Sequence, residues 1–224
     1  MAEEAGQPLG RVLSVNVGVP RSVEWQGRRI RTAIWKDPVD GPVEVRGVNL
    51  AGDDQADRRV HGGTNKAAYA YAAEDYAWWS EQLGIELGAG TFGDNLTIEG
   101  VDLRLVWVGE RWRVGTCLLE VSEPRMPCFK LGARMGTADF VDLFDAVARH
   151  GTYLRIIEEG VVQAGDDVHL VSRPELELTV SELVAARQGD DAALLHRVVG
   201  HPAVSEPWVN SAQRALRRLE GRRA

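Results

Sequence analysis

The sequence predicts a mainly β fold: a closed barrel of short strands with a few helices, followed by a small three-helix appendage. Three observations carry this. Short segments of alternating polarity recur between residues 11 and 172, separated by turn signals such as Gln26-Gly27, Asp40-Gly41, Gly109-Glu110 and Gly165-Asp166. Only two stretches in that span repeat with helical period. Beyond Pro174 the texture changes to three helical patterns in succession. Many short strands with few helices favour closure, because a closed barrel leaves no sheet edge exposed.

Residues 1–10 read as a disordered lead-in. The first strand alternates Leu13, Val15 and Val17 with Val12, Ser14 and Asn16, and a hairpin turn then leads into Ile30, Thr32 and Ile34. Further strands fit Leu103–Val108, Trp112–Val114, Cys117–Val121, Tyr153–Ile157 and Asp167–Val171. One helix, Glu74–Leu83, sets Tyr76, Trp79 and Leu83 on one face and stops at Gly84. A second, Ala138–Arg149, groups Phe140, Phe144 and Val147 and stops at Gly151. The barrel domain so delimited spans residues 11–172.

The appendage spans residues 177–220. Thr179-Val180-Ser181-Glu182 forms a capping box, Asp191–Val199 is closed by Gly200, and Ser205 caps a helix carrying Trp208, Ala212 and Leu216. A tail this small cannot bury Leu183, Leu194, Leu195 and Trp208 by itself. It must pack on the barrel or on a second subunit, which leaves a homodimer open.

The balance of 33 acidic and 26 basic residues, net −7, argues against nucleic acid as a bulk partner. No apolar run reaches membrane-spanning length and no secretory segment is evident, so the reading is a cytoplasmic protein that does not enter a membrane. Two cysteines, Cys117 and Cys128, do not make a disulfide framework.

Three stretches are too polar, too glycine-rich or too irregular for ordinary strands and turns. One runs from Asn49 through Arg58-Arg59 to His61-Gly62-Gly63-Thr64-Asn65-Lys66. The others are Phe92-Gly93-Asp94-Asn95-Leu96 and Pro124-Arg125-Met126-Pro127-Cys128-Phe129-Lys130-Leu131-Gly132. Cys128 follows a strand and sits on a loop at a sheet edge, where Pro127 holds the approach extended. Arg125 and Lys130 bracket the sulfur with positive charge, which favours thiolate over thiol. Such a thiolate is either a nucleophile or a ligand for a soft metal. Cys117, by contrast, alternates with Leu119 and Val121 and reads as core. The two glycines after His61 let backbone amides approach a ligand, and Arg58, Arg59 and Lys66 make the loop an anion cradle or simply a basic surface loop. Asn95 can brace its turn or donate to a ligand at the barrel mouth. Zinc is disfavoured, since no second histidine or cysteine stands at ligand spacing from His61.

Taken together, His61-Gly62-Gly63 with Lys66, Phe92-Gly93-Asp94-Asn95 and Pro124 to Lys130 resemble a MOSC domain of the YiiM type, in order and spacing across residues 11–172. The tail resembles the three-helix domain that follows MOSC in that subgroup. Asn65 stands where aspartate is common, and Asp94 where glutamate is common. The resemblance implies a β-barrel and a molybdenum–pyranopterin cofactor whose metal is held by Cys128. It also implies reduction of N-hydroxylated bases and related N-oxygenated compounds to amines. The cofactor phosphate is then expected on Arg58, Arg59, Gly62, Gly63 and Lys66, with Asn95, Arg125 and Lys130 nearby and His61 as a proton donor. The chain carries no flavin, nicotinamide or iron–sulfur motif, so electrons must come from a separate flavin or iron–sulfur protein. Two other readings are a sulfur carrier with a persulfide on Cys128 and a non-catalytic cofactor carrier.

Overall fold

The computed structural model describes residues 7–57 and 62–221. Seven strands close into a barrel: β1 (Gly10–Val17), β2 (Ala68–Ala72), β3 (Leu96–Glu99), β4 (Arg111–Val114), β5 (Cys117–Pro124), β6 (Thr152–Glu158) and β7 (Asp167–Ser172). Their order is β1-β3-β2-β6-β5-β4-β7, and β7 pairs back onto β1 to complete the ring. Every neighbouring pair is antiparallel except β2 and β3. That parallel pair needs a crossover, which helix α1 (Ala73–Leu83) supplies.

The strand β2 was not expected from the sequence, and its pattern explains the interior. In Ala68-Tyr69-Ala70-Tyr71-Ala72 the three alanines face the barrel core, while Tyr69 and Tyr71 face outward into a second cluster. That cluster is aromatic, with Tyr76, Trp79, Phe92, Phe140 and Phe144 packed together. Trp79 and Phe144 stack at 5.6 Å, and the Trp79 ring nitrogen donates to the Tyr71 hydroxyl at 3.0 Å.

Several sequence expectations are corrected. The lead-in is shorter than ten residues: Gly10 already belongs to β1, and the amide of Leu9 donates to Val168 O at 2.8 Å. A register shift between Val12 and Ser14 breaks the alternation of β1, so Val12 and Val15 are fully buried while Leu13 is 45% exposed. Leu103–Val108 is not a strand. Leu103, Val106 and Val108 are buried, but the backbone there bonds to the entry of the tail, with Val108 N–H on Leu178 O and Val180 N–H on Val106 O. The helix expected over Ala138–Arg149 is α3, Phe140–Val147, and Ala148 takes the left-handed cap at φ 58°. Gly151 serves another purpose: a Cβ there would stand 2.4 Å from Ala70 O. Helix α2 (Phe129–Met135), between β5 and α3, was also unforeseen.

The tail forms α4 (Val180–Ala185), α5 (Ala192–Gly200) and α6 (Glu206–Gly221). Its capping box is present in full, Thr179 Oγ1 accepting from Glu182 N–H while Glu182 accepts from Thr179 N–H. The tail is not an independent unit. Leu178, Leu183, Leu195, Val198 and Leu216 join one hydrophobic cluster with Val15, Leu96, Trp112 and Leu119 of the barrel. No helix among the described residues is long and apolar enough to cross a membrane.

Because Leu178 and Leu183 are fully buried in this shared cluster, Leu178→Ala or Leu183→Ala should each cost about 3 kcal/mol. Denaturation followed by tail and barrel fluorescence should show one coincident transition shifted to lower denaturant. Two separate transitions would mean that the tail unfolds by itself.

Candidate functional site

Strand β5 is buried along its whole length and ends at Pro124. Three residues outside any strand or helix follow, and Cys128, at φ −138° and ψ 169°, is the residue that heads α2. Cys128 thus belongs to a strand-to-helix junction within a closed ring, rather than to a loop at a sheet edge. Its carbonyl accepts from Leu131 N–H at 2.8 Å, which starts the helix. Gly132 keeps the helix close to the following turn, since a Cβ there would stand 3.0 Å from Thr137 O. The two cysteines differ as expected. Cys117 is fully buried, and burial pushes its thiol up to about 11, whereas Cys128 is half-buried at the rim of a recess.

This recess, roughly 570 Å³, gathers residues from distant parts of the chain: Lys36, Tyr69, Asn95, Arg125, Cys128 and Lys130. Lys66, Phe92 and Tyr153 also line it. Arg125 is only 6% exposed. Its guanidinium stands 5.8 Å from the centre of the Tyr69 ring, and its Nη1 finds no hydrogen-bond partner among the described residues. Burial opposes the charge of Arg125, but Tyr69, Tyr153 and Cys128 outweigh burial and hold its pKa above the ordinary arginine value. A buried N–H donor without a partner costs free energy until an acceptor arrives, so Nη1 of Arg125 is set to receive an anionic or strongly accepting ligand.

The floor is braced by buried pairs. Lys36 Nζ lies 2.5 Å from Asp53 in an ion pair that is nearly closed to solvent, and burial lowers the lysine pKa. Asn95 bridges three segments. Its amide nitrogen donates to Asp53 Oδ2 at 3.0 Å and to Asn16 O at 3.2 Å, and its Oδ1 accepts from Tyr69 N–H at 3.1 Å. Asn95 therefore lines the recess while its side-chain amide is occupied within the protein, which makes bracing its first role. Next to it, Asp94 is fully buried and accepts from Tyr76 Oη at 2.5 Å, Thr97 Oγ1 at 2.7 Å and Asn16 Nδ2 at 3.3 Å.

A second, wider cleft of about 1450 Å³ opens on the other side of Cys128. Gly62, Gly63 and Lys66 line one side, and Trp208, Ser211 and Arg214 of α6 line another. Cys128, Lys66 and Tyr153 border both spaces. Specific contacts fix the tail here: Ser205 Oγ donates to Glu123 Oε2 at 2.5 Å, Arg155 Nη2 to Ala203 O at 2.8 Å and Arg187 Nη1 to Asp145 Oδ1 at 2.8 Å. Lys66 Nζ lies 3.6 Å from Glu123 Oε1.

Of the residues named from sequence, Cys128, Arg125, Lys130, Lys66 and Asn95 share the recess, and Gly62 and Gly63 line the adjoining cleft. Arg58, Arg59 and His61 lie outside the described residues. Lys36, Tyr69, Tyr153 and the α6 residues were not foreseen. The only signal for Tyr69 was the alanine–tyrosine alternation, and nothing local marks the others.

Comparison with known proteins agrees with the barrel fold. The sequence pattern of the MOSC domain matches residues 57–169. The uncharacterised protein YflK of Bacillus subtilis (strain 168) is 35% identical over 210 residues, covering 93% of this chain and 95% of YflK. A protein named Reductase from Gibberella moniliformis is 33% identical over 168 residues, 72% of this chain and 30% of that protein. The crystal structure of YiiM from Geobacillus stearothermophilus superimposes with a TM-score of 0.78 at 31% identity, covering 92% of this chain and 99% of that one.

The contrast between the two thiols has a direct readout. At neutral pH a maleimide or iodoacetamide should label Cys128 at least 100-fold faster than Cys117, whose burial and pKa of about 11 keep it a protonated, shielded thiol. Comparable labelling of both in native protein would contradict the placement of Cys128 at the recess rim.

Proposed function

The chain belongs to the MOSC domain family, and we propose that it holds a molybdenum–pyranopterin cofactor through Cys128 and reduces N-hydroxylated bases and related N-oxygenated compounds to amines. One observation carries the reading: a half-exposed thiol at the rim of a recess in which the buried guanidinium of Arg125 lacks a partner for Nη1. The donor set fits the group. A thiolate is a ligand for a soft metal centre. Lys66, Arg125 and Lys130 give the recess a cationic lining suited to an anionic pterin with its phosphate.

When bound, such a cofactor supplies two-electron reduction of an N–O bond; overall, R–NHOH with two electrons and two protons gives R–NH2 and water. The protein's own groups have separable tasks. Cys128 anchors, Arg125 and Lys130 balance negative charge, and the buried Lys36–Asp53–Asn95 brace keeps the recess in shape. Substrate would approach through the cleft bordered by α6, where the indole of Trp208 offers a face for a planar base. Gly62, Gly63 and Lys66, with Arg58 and Arg59, are the proposed phosphate cradle, and His61 is the proposed proton donor. Electrons would come from a separate flavin or iron–sulfur protein. The reading sets the protein in the reducing cytoplasm, where both thiols persist.

Cys128→Ser should abolish metal retention, measured by elemental analysis, and lower N-hydroxy reduction more than 100-fold, with the melting temperature of the unloaded protein unchanged. A serine oxygen is harder than a thiolate and stays protonated near neutral pH. Full activity in this variant would refute the reading. Stoichiometric molybdenum without turnover would identify a carrier, and a sulfur adduct on Cys128 without molybdenum would identify a persulfide protein. Lys66→Ala should reduce cofactor retention several-fold with little effect on apo-protein melting; equal effects on both would restrict Lys66 to supporting its loop.

A further inference from the structure

The hairpin formed by Arg21–Trp25 and Arg28–Thr32 projects from the barrel and packs chiefly on itself. Its turn is as short as a hairpin allows, with Gln26 at φ 49° and Gly27 at φ 71°. A two-stranded hairpin is marginal in water unless something covers it. Its charge is unlike that of the molecule around it. Arg21, Arg28, Arg29 and Arg31 are exposed and stand against the single acid Glu24, in a chain of net charge −7. None of Arg28, Arg29 and Arg31 has an ion pair among the described residues.

The register sorts the side chains further. Val23, Trp25 and Ile30 share one face with Arg21 and Arg28, and all three are only half-buried. Arg29 and Arg31 lie on the opposite face with Glu24, so the basic groups flank the hairpin on both sides and a partner meets them by straddling its tip and its Arg28–Thr32 edge, with the half-covered Trp25 at the tip. Arg21 and Arg134 both stack on Trp35, at 4.6 and 5.6 Å from the ring, which extends the basic surface onto α2. The second strand then runs without interruption into Thr32, Ala33, Ile34 and Lys36, all lining the recess that Cys128 borders. A protein seated on the hairpin therefore stands beside the outer wall of that recess.

We propose that this hairpin is the docking surface for an acidic electron-donor protein, an inference that rests on the reductive reading of the Cys128 site. A reduced flavin hydroquinone in the donor would lose two electrons and two protons to become the quinone, matching the two electrons and two protons consumed in turning R–NHOH into R–NH2 and water. Charge complementarity selects the occupant: opposite potentials steer encounter and fix register. A polyphosphate or an anionic membrane fits less well, because the rest of the chain is acidic and the basic surface is one hairpin wide.

The test uses the full chain and an acidic flavodoxin-type FMN protein as probe. Binding is measured on unloaded protein by calorimetry or NMR titration, and turnover is measured on loaded protein with either the FMN protein or dithionite-reduced methyl viologen. The triple variant Arg28→Glu, Arg29→Glu, Arg31→Glu should weaken binding and FMN-protein-driven turnover at least tenfold, with viologen-driven turnover unchanged. A charge-matched control elsewhere, Arg11→Glu, Arg46→Glu, Arg217→Glu, should change either by less than threefold. Raising the salt from 50 to 200 mM should weaken wild-type binding strongly and hairpin-variant binding little. No binding by wild type, equal losses in both triples, or a hairpin triple that binds like wild type would each overturn the proposal. Tighter, hairpin-dependent capture of anionic vesicles or single-stranded RNA would overturn it in favour of that partner. If loaded wild type failed even with viologen, the reductive reading would fall. The binding measurement on unloaded protein would still decide whether the hairpin docks an acidic protein.

Discussion

A fully buried carboxylate has to be satisfied from every side, and the way Asp94 meets that requirement organises this molecule. Its donors come from β1 through Asn16, from α1 through Tyr76 and from β3 through Thr97, while Gly90 N–H adds a longer contact at 3.4 Å. Burial raises its pKa, and only this ring of donors makes the charged form tolerable in the interior. The same constraint fixes the residue after it. Beside the locked Asp94, Asn95 bonds Asp53, the Asn16 carbonyl and the Tyr69 amide. The Asp53–Lys36 pair then follows as the next buried charge that needs compensation. One dipeptide thus ties together the strand ends that carry the recess.

From this floor upward the site is a problem of charge. The recess holds Lys36, paired with Asp53, and Lys66, paired with Glu123, together with Arg125 and Lys130. Arg125 is the informative member because its guanidinium stands beside the Tyr69 ring and is paired with no carboxylate among the described residues. Rings favour a cation without neutralising it, so positive potential remains directed into the recess. The aromatic cluster behind Tyr69 holds that ring in position and excludes water from its far side.

What could be read from the sequence follows the range of the interactions involved. Features set within a few residues were legible: the Thr179 capping box, the stop at Gly84, the core character of Cys117 and the break before the tail. The MOSC-type motifs were legible too, because Cys128 sits in a run of prolines and cations that serves no ordinary strand or turn. Features requiring closure were not. The bulge that turns Leu13 outward depends on the pairing of β1 with β3. Strand β2 escaped notice because alanine on its inner face gives little hydrophobic contrast with tyrosine on its outer face. Leu103–Val108 has the apolar content of a strand, yet its long-range backbone partners lie seventy or more positions along the chain. Lys36, Tyr69 and Tyr153 become neighbours only when the ring is complete.

Cys128 borders two spaces whose walls have different origins. The recess is enclosed largely by barrel strands and their connections, whereas the cleft on the other side takes Trp208, Ser211 and Arg214 from α6. This separates two inheritances. Replacements on the cleft-facing side of α6 would reshape the approach to the thiol from one direction while leaving the Asp94 clamp and the cationic lining of the recess untouched.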